Sequence, residues 1–95
     1  MDLLSEIQKR AEGSAPLGSS LKFNLGGNVI HLDGSGDSNV VTGDDKDADC
    51  TIIVSQEDME ALMTGSLNPM MAFMGGKIKV EGDMSVAMKL QSIVG

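Results

Sequence analysis

The sequence predicts a domain of the α+β (α/β) class, in which a five-stranded mixed, largely antiparallel sheet has helices covering one face. Apolar and polar residues alternate on both sides of Gly26-Gly27-Asn28, a pattern typical of a β-hairpin. Residues 49–90 then switch between strand and helix patterns with almost no spacer. Because 95 residues close only one hydrophobic core, we expect a single domain over residues 1–95.

The first half of the chain predicts one helix followed by three strands. Apolar residues at helical spacing indicate a helix over residues 2–11, with Asp2 at its N-terminal end. Alternating or β-branched residues indicate the strands, and the Gly- and Ser-rich stretch 34–39 supplies the second turn. The predicted strands are residues 21–25, 29–33 and 40–42.

The second half begins with a strand in the interior of the sheet. Cys50, Ile52 and Val54 share one face of the β-rich run 50–54. Ser55 is a helix N-cap followed by acidic residues, which the helix dipole favours in a first turn. Thr64-Gly65 stops that helix, and Asn68-Pro69 has the features of the start of another.

The last two predicted elements are a strand and a helix. Residues 77–81 alternate, with Ile78 and Val80 inward, and we expect this fifth strand to run parallel to the fourth because a helical connection separates them. Asp83 then caps a helix over residues 84–94 that is apolar around most of its circumference.

Composition excludes several classes of function. A net charge of -7 with scattered lysines argues against nucleic acid as a partner. An anionic membrane would repel the chain at long range, so membrane contact is expected to be transient and apolar or made through a local patch. A single cysteine, Cys50, forms no intramolecular disulfide and favours neither a zinc site nor catalysis. The aspartates of residues 43–49 lack the ligand order of a calcium hand, so no metal is expected.

Catalytic chemistry has no candidate either. His31 has no carboxylate, His or Cys at a convincing spacing, and we interpret it as a surface or core-edge residue. The Gly-Gly pairs are turn signals and belong to no phosphate loop. The sequence therefore predicts a protein that is not an enzyme and needs no cofactor.

What remains is an unusual abundance of methionine. The predicted helices carry seven of the eight methionines, Met59, Met63, Met70, Met71, Met74, Met84 and Met88. Thioether side chains fit irregular shapes, so these residues either fill the core or line an apolar cavity between helices and sheet. Gln91 shares a helical face with Met84 and Met88, where it either hydrogen-bonds the polar end of a ligand or is solvated.

Several runs of residues resemble a known family. They are Ala48 to Val54, Ala61-Leu62-Met63-Thr64-Gly65, Asn68-Pro69, Ala72-Phe73, Gly76-Lys77-Ile78-Lys79, Gly82-Asp83-Met84 and Ala87-Met88-Lys89-Leu90-Gln91. In this order they resemble the lipid-binding domain of sterol carrier protein two. The resemblance implies a hydrophobic tunnel between sheet and helices that binds fatty acids, fatty acyl-CoA, sterols or phospholipids and transfers them without covalent chemistry.

The function expected on these grounds is a non-enzymatic intracellular lipid carrier. Its alternative is a protein-interaction or homodimerisation domain whose apolar surface is closed by a partner. The residues expected to bind lipid are Phe23, Ile52, Met59, Leu62, Met63, Met70, Phe73, Met74, Met84, Met88 and Gln91. No signal peptide or membrane-spanning run is visible, and Ser92-Ile93-Val94-Gly95 is not a peroxisomal address, so the expected location is the cytoplasm.

Overall fold

A computed structural model describes residues 2–89 of the chain and contains the predicted succession of elements. Asp2, Ser55, Asn68 and Asp83 cap the four helices, as their positions in the sequence predict. The elements are α1 (Leu3–Glu12), β1 (Ser20–Asn24), β2 (Val29–Asp33), β3 (Val40–Thr42), β4 (Cys50–Val54), α2 (Gln56–Thr64), α3 (Pro69–Met74), β5 (Ile78–Gly82) and α4 (Met84–Met88). The predicted extension of the last helix to residue 94 lies outside the described residues.

The five strands form one mixed sheet in the order β3-β2-β1-β4-β5. The hairpin of β1 and β2 is antiparallel, and the turn that joins them is closed by a hydrogen bond from Leu25 N to Asn28 O at 2.8 Å. β4 lies in the interior of the sheet, parallel to β1 on one side and antiparallel to β5 on the other. The predicted five-stranded sheet with helices is therefore confirmed.

The expected parallel arrangement of β4 and β5 is wrong. Their register is antiparallel, and Val54 at the end of β4 lies beside Ile78 at the start of β5. The connection between β4 and β5 consists of two helices, because Gly65 adopts a left-handed conformation (φ +84°) that ends α2 before α3 begins. The chain thus enters β5 at the same end of the sheet at which it left β4. A parallel crossover would instead carry the chain back to the opposite end of the strands.

The hydrophobic core lies between the helices and one face of the sheet. Phe23 is fully buried and lies in register with Ile30 on one side and Ile52 on the other. Ile7 of α1 and Met59 of α2 belong to the same buried cluster, and both are fully buried. The aliphatic side chains of all nine elements therefore meet in a single core.

The opposite face of the sheet is partly covered by the acidic loop between β3 and β4. Lys22 Nζ donates to Asp45 Oδ1 at 3.0 Å, and His31 Nε2 donates to the carbonyl oxygen of Asp47 at 3.0 Å. His31 is buried, with an exposed fraction of 5%. The loop thus satisfies polar groups that the sheet presents on this side.

One asparagine joins α1 to the sheet. Asn39 Nδ2 donates to the carbonyl oxygens of Ala11 and Ala15, both at 3.1 Å, and Asn39 Oδ1 accepts from Leu17 N at 3.0 Å. A Cβ atom on Gly34 would lie 2.6 Å from that Oδ1, so this close approach requires glycine. The side chain of Asn39 thereby replaces regular secondary structure as the partner of three backbone groups.

Candidate functional site

The candidate site is a groove of about 270 Å³ between α3, α4 and the inner face of β4 and β5. The described residues that line it are all apolar: Ile52, Pro69, Met70, Phe73, Ile78, Val80, Met84, Ala87 and Met88. Concave sites of this composition are typical of binding sites for apolar ligands.

The floor of the groove consists of strand residues. Ile52 of β4 and Val80 of β5 are cross-strand neighbours, and Ile78 lies two residues earlier on the same face of β5. Ile52 and Ile78 are buried, with exposed fractions of 1% and 5%. β-branched residues at these positions stiffen the floor, because their side-chain torsions are restricted.

One wall of the groove is the short helix α3. Asn68 Oδ1 accepts from the backbone N–H of Met70 at 2.9 Å and of Met71 at 3.3 Å, and Pro69 occupies the first helical turn. Met70 and Phe73 line the groove at a spacing of three residues, which places them on one face of a helix. Ala72 is the buried residue of this helix. Because the small residue Ala72 anchors α3, the larger side chains of this helix lie outside the core.

The other wall is α4, which contacts β1, β4 and β5. Val86 anchors it in the core with an exposed fraction of 1%, while Met84 and Met88 line the groove. The turn before it requires glycine, because Gly82 has φ +97° and a Cβ atom there would lie 2.5 Å from the carbonyl oxygen of Asp49. This turn sets where α4 begins.

As residues 2–89 form it, the groove is open to solvent. The exposed fractions of Met70, Phe73, Met84 and Met88 are 58%, 44%, 49% and 76%. Folded domains bury most large apolar side chains and show contiguous apolar patches mainly where something binds. The exposed walls therefore make the groove a candidate binding surface on physical grounds.

The sequence-predicted lipid-binding residues fall into four groups. Five of them line the groove, namely Ile52, Met70, Phe73, Met84 and Met88. Four are packed in the core and do not line the groove, namely Phe23, Met59, Leu62 and Met63. Met74 is 77% exposed and also lies outside the groove lining. Gln91 lies outside the described residues.

Four further lining residues were not among those predicted to bind lipid. Ile78 and Val80 carried a signal, since the alternation of residues 77–81 already turns them inward. Ala87 shares a helical face with Met84 and Met88. Pro69 carried no signal beyond its place at the start of a helix.

Among residues 2–89, no ionisable side chain that could take part in catalysis lines the groove. Asp83, next to the lining residue Met84, accepts hydrogen bonds from Ser85 N and Oγ at 2.9 and 2.7 Å, and these hold the pKa of the Asp83 carboxyl below its ordinary value. Burial raises the pKa of the Cys50 thiol, aided by the nearby negative charge of Asp83. Asp83 is thus held as a helix cap, and the Cys50 thiol as a protonated core residue.

Other possible sites carry weaker signals within residues 2–89. A wider depression of about 520 Å³ lies near the start of α1 and the β1–β2 turn, but polar groups such as Asp2, Asn28 and Asp45 line it together with apolar residues. No group of three or more His, Cys, Asp or Glu side chains in that range is arranged to hold a metal ion. No helix in the same range is long and apolar enough to cross a bilayer.

Known proteins with similar sequences cover this chain in part. Sterol carrier protein 2 of Rattus norvegicus is 51% identical over 59 residues, which are 62% of this chain and 11% of the rat protein. The matched segment is thus about a tenth of that relative's length. Hydroxysteroid dehydrogenase-like protein 2 of Xenopus tropicalis is 44% identical over 48 residues, which are 50% of this chain and 12% of the frog protein.

Solved structures with the same fold cover nearly the whole chain. Sterol carrier protein 2 of Aedes aegypti, solved in complex with palmitate, superposes with a TM-score of 0.72 at 24% identity and covers 98% of this chain and 91% of its own. The sterol carrier protein domain 2 of Helicoverpa armigera gives a TM-score of 0.63 at 29% identity, covering 95% and 71%. A family model described as the SCP-2 sterol transfer family matches residues 2–95. This chain therefore belongs to the SCP-2 sterol transfer family.

Proposed function

We propose that this protein is a non-enzymatic lipid carrier whose groove holds the hydrocarbon chain of a fatty acid or fatty acyl group. The observation that carries the proposal is that the described lining residues are all apolar while the walls are 44% to 76% exposed at Met70, Phe73, Met84 and Met88. Exposure of these apolar side chains to water costs free energy, and a bound hydrocarbon chain that covers them removes this cost.

The shape and chemistry of the groove favour a flexible chain over a rigid ring system. A volume of about 270 Å³ is slightly below the range of about 300–1,000 Å³ usual for pockets that enclose whole ligands. Met70, Met84 and Met88 are unbranched and adapt to a ligand that itself bends. We therefore expect an acyl chain to bind in preference to a sterol.

Because no polar residue among positions 2–89 lines the groove, the described lining offers the ligand's head group no partner. An ionised carboxylate in an apolar groove without a partner is strongly disfavoured, so the head remains at the solvent-exposed mouth. A fatty acyl-CoA binds in the same way, with its polar part outside. The head group therefore contributes little selectivity, and the length of the chain contributes most.

Three further observations support this proposal. The Aedes aegypti relative was solved in complex with palmitate, a C16 fatty acid, and shares the fold of this chain. Among the groove-lining residues that the structure describes there is no nucleophile or general base, which fits transport better than catalysis. A single buried, free Cys50 fits the reducing cytoplasm as the site of action.

Titration of the delipidated protein with saturated fatty acids of increasing length tests the proposal. Each methylene that enters the groove contributes about 0.8 kcal/mol, so Kd is expected to fall about fourfold per methylene and to level off when the groove is full. Native mass spectrometry should show one fatty acid per chain. No saturable binding at any length, or affinity independent of length, would overturn the proposal.

A further inference from the structure

The helix α3 exposes a second apolar surface that the groove does not use. Met71 and Met74 are 67% and 77% exposed, and neither lines the groove. Their spacing of three residues places them together on a face of α3 that differs from the face of Met70 and Phe73. We refer to Met71 and Met74 as the outer face of α3.

The sequence around this face is basic, in contrast to the net charge of the chain. Residues 65–80 contain no Asp or Glu and two lysines, although the chain as a whole carries a net charge of -7. Lys77 N donates to the carbonyl oxygen of Ala72 at 2.9 Å, which fixes Lys77 at the C-terminal end of α3. Lys77 and Lys79 are exposed, and neither forms an ion pair with any residue from 2 to 89.

We propose that the outer face of α3, with Lys77 beside it, docks on a lipid surface that carries anionic head groups. This inference rests on the proposed carrier function and adds the place at which the ligand enters and leaves. Exposed methionines insert among acyl chains, while a lysine at their edge contacts phosphate. Anionic lipid is favoured as the partner because residues 65–80 carry two lysines and no Asp or Glu in a chain whose net charge is -7.

The position of this face links membrane docking to the transfer of the ligand. Met70 and Phe73 line the groove from the same helix that carries Met71 and Met74, so docking brings the groove to the membrane surface. The hydrocarbon chain then moves between bilayer and groove with little exposure to water. The acidic remainder of the chain is repelled by the same head groups, which orients the protein with α3 toward the lipid.

Partition onto vesicles made of equal parts of phosphatidylcholine and phosphatidylglycerol tests this inference, with uptake of free fatty acid measured beside it. The double variant M71Q/M74Q should lower vesicle partition about tenfold and leave the Kd for fatty acid unchanged. Lys77→Gln should lower partition about fivefold on these vesicles and have little effect on pure phosphatidylcholine. Met70→Gln is the matched control, expected to weaken fatty acid binding and to leave partition unchanged.

The outcomes separate the two proposals. A double variant that still takes up fatty acid but partitions onto vesicles like the wild type overturns the docking surface alone. Failure of every variant and of the wild type to take up fatty acid overturns the carrier function instead. A wild-type dimer in solution that the double variant abolishes would assign the outer face of α3 to a second copy of the chain and also overturn the membrane proposal.

Discussion

Met70 and Met71 are neighbours in α3, yet Met70 lines the groove and Met71 does not. Their exposed fractions, 58% and 67%, are similar, so neither contributes much to the core. Both backbone N–H groups donate to the same Asn68 side chain. The pair therefore offers a comparison between an exposed methionine that lines the groove and one that does not.

Substitution of this pair should affect ligand binding at one position only. In Met70→Gln a polar amide of similar length meets the hydrocarbon chain without a hydrogen-bond partner, which costs about 1–3 kcal/mol. We expect Kd for a long-chain fatty acid to rise about tenfold or more, measured by calorimetric titration. Met71→Gln should leave Kd within about twofold, and equal losses in both variants would contradict the assignment of Met70 to the groove.

The two aromatic residues of the chain, Phe23 and Phe73, should respond differently to truncation. Phe23 is fully buried between β2 and β4, so Phe23→Ala should lower the free energy of unfolding by about 3–5 kcal/mol. Phe73 is 44% exposed, and Phe73→Ala should cost about 1 kcal/mol or less while weakening fatty acid binding. Urea unfolding measures both. A large loss of stability in Phe73→Ala would show that α3 is packed more tightly than its exposure indicates.

Much of the local structure was predictable because it depends on neighbouring residues. The caps Ser55, Asn68 and Asp83 and the hairpin turn follow from short-range hydrogen bonding and backbone preference. The direction of β5 depends on where α2 and α3 return the chain. That path is set by packing between distant residues, which local patterns do not encode.

The division of the methionines between core and groove was not predictable for the same reason. Met59 and Met70 both lie on apolar faces of helices that follow a capping residue. Met59, Leu62 and Met63 bury α2 in the core, whereas α3 is anchored by Ala72. The local pattern indicates an apolar helix in both cases, and only the packing distinguishes a filled interior from an open groove.

Asn39 should be important for stability although it lies in a loop. Asn39→Ala removes the partner of the carbonyl oxygens of Ala11 and Ala15 and of Leu17 N, so we expect a loss of about 2 kcal/mol in the free energy of unfolding. Asn28→Ala is a matched control, because the Asn28 side chain is exposed and pairs with that of Gln56. Its cost should stay within about 0.5 kcal/mol. Equal effects of the two substitutions would argue against the role assigned to Asn39.

Stability should decrease in acid because three capping or turn carboxylates are stabilised as anions. Ser5, Ser35 and Ser85 donate hydrogen bonds to Asp2, Asp33 and Asp83 respectively, and these bonds lower each aspartate's pKa below its ordinary value of 3.8. At pH values between these lowered pKa values and 3.8, the unfolded chain therefore binds more protons than the folded chain. The stabilisation is present above pH 3.8 and is lost as pH falls through the lower pKa values of the folded state.

Asp83→Asn isolates one of these contributions. Asparagine also caps helices well, so stability near neutral pH should change little. The variant should lose less stability than the wild type when urea unfolding is repeated at decreasing pH, because position 83 no longer titrates. Identical pH profiles for the two proteins would mean that Asp83 has the same pKa in both states.

Nuclear magnetic resonance of methionine methyl groups during titration with palmitate tests the central claim most directly. Ligand in the groove should shift the methyl signals of Met70, Met84 and Met88, which line it, and leave those of the buried Met59 and Met63 nearly unchanged. The opposite pattern, with Met59 and Met63 shifted and the groove methionines unaffected, would place the acyl chain inside the core and contradict the account.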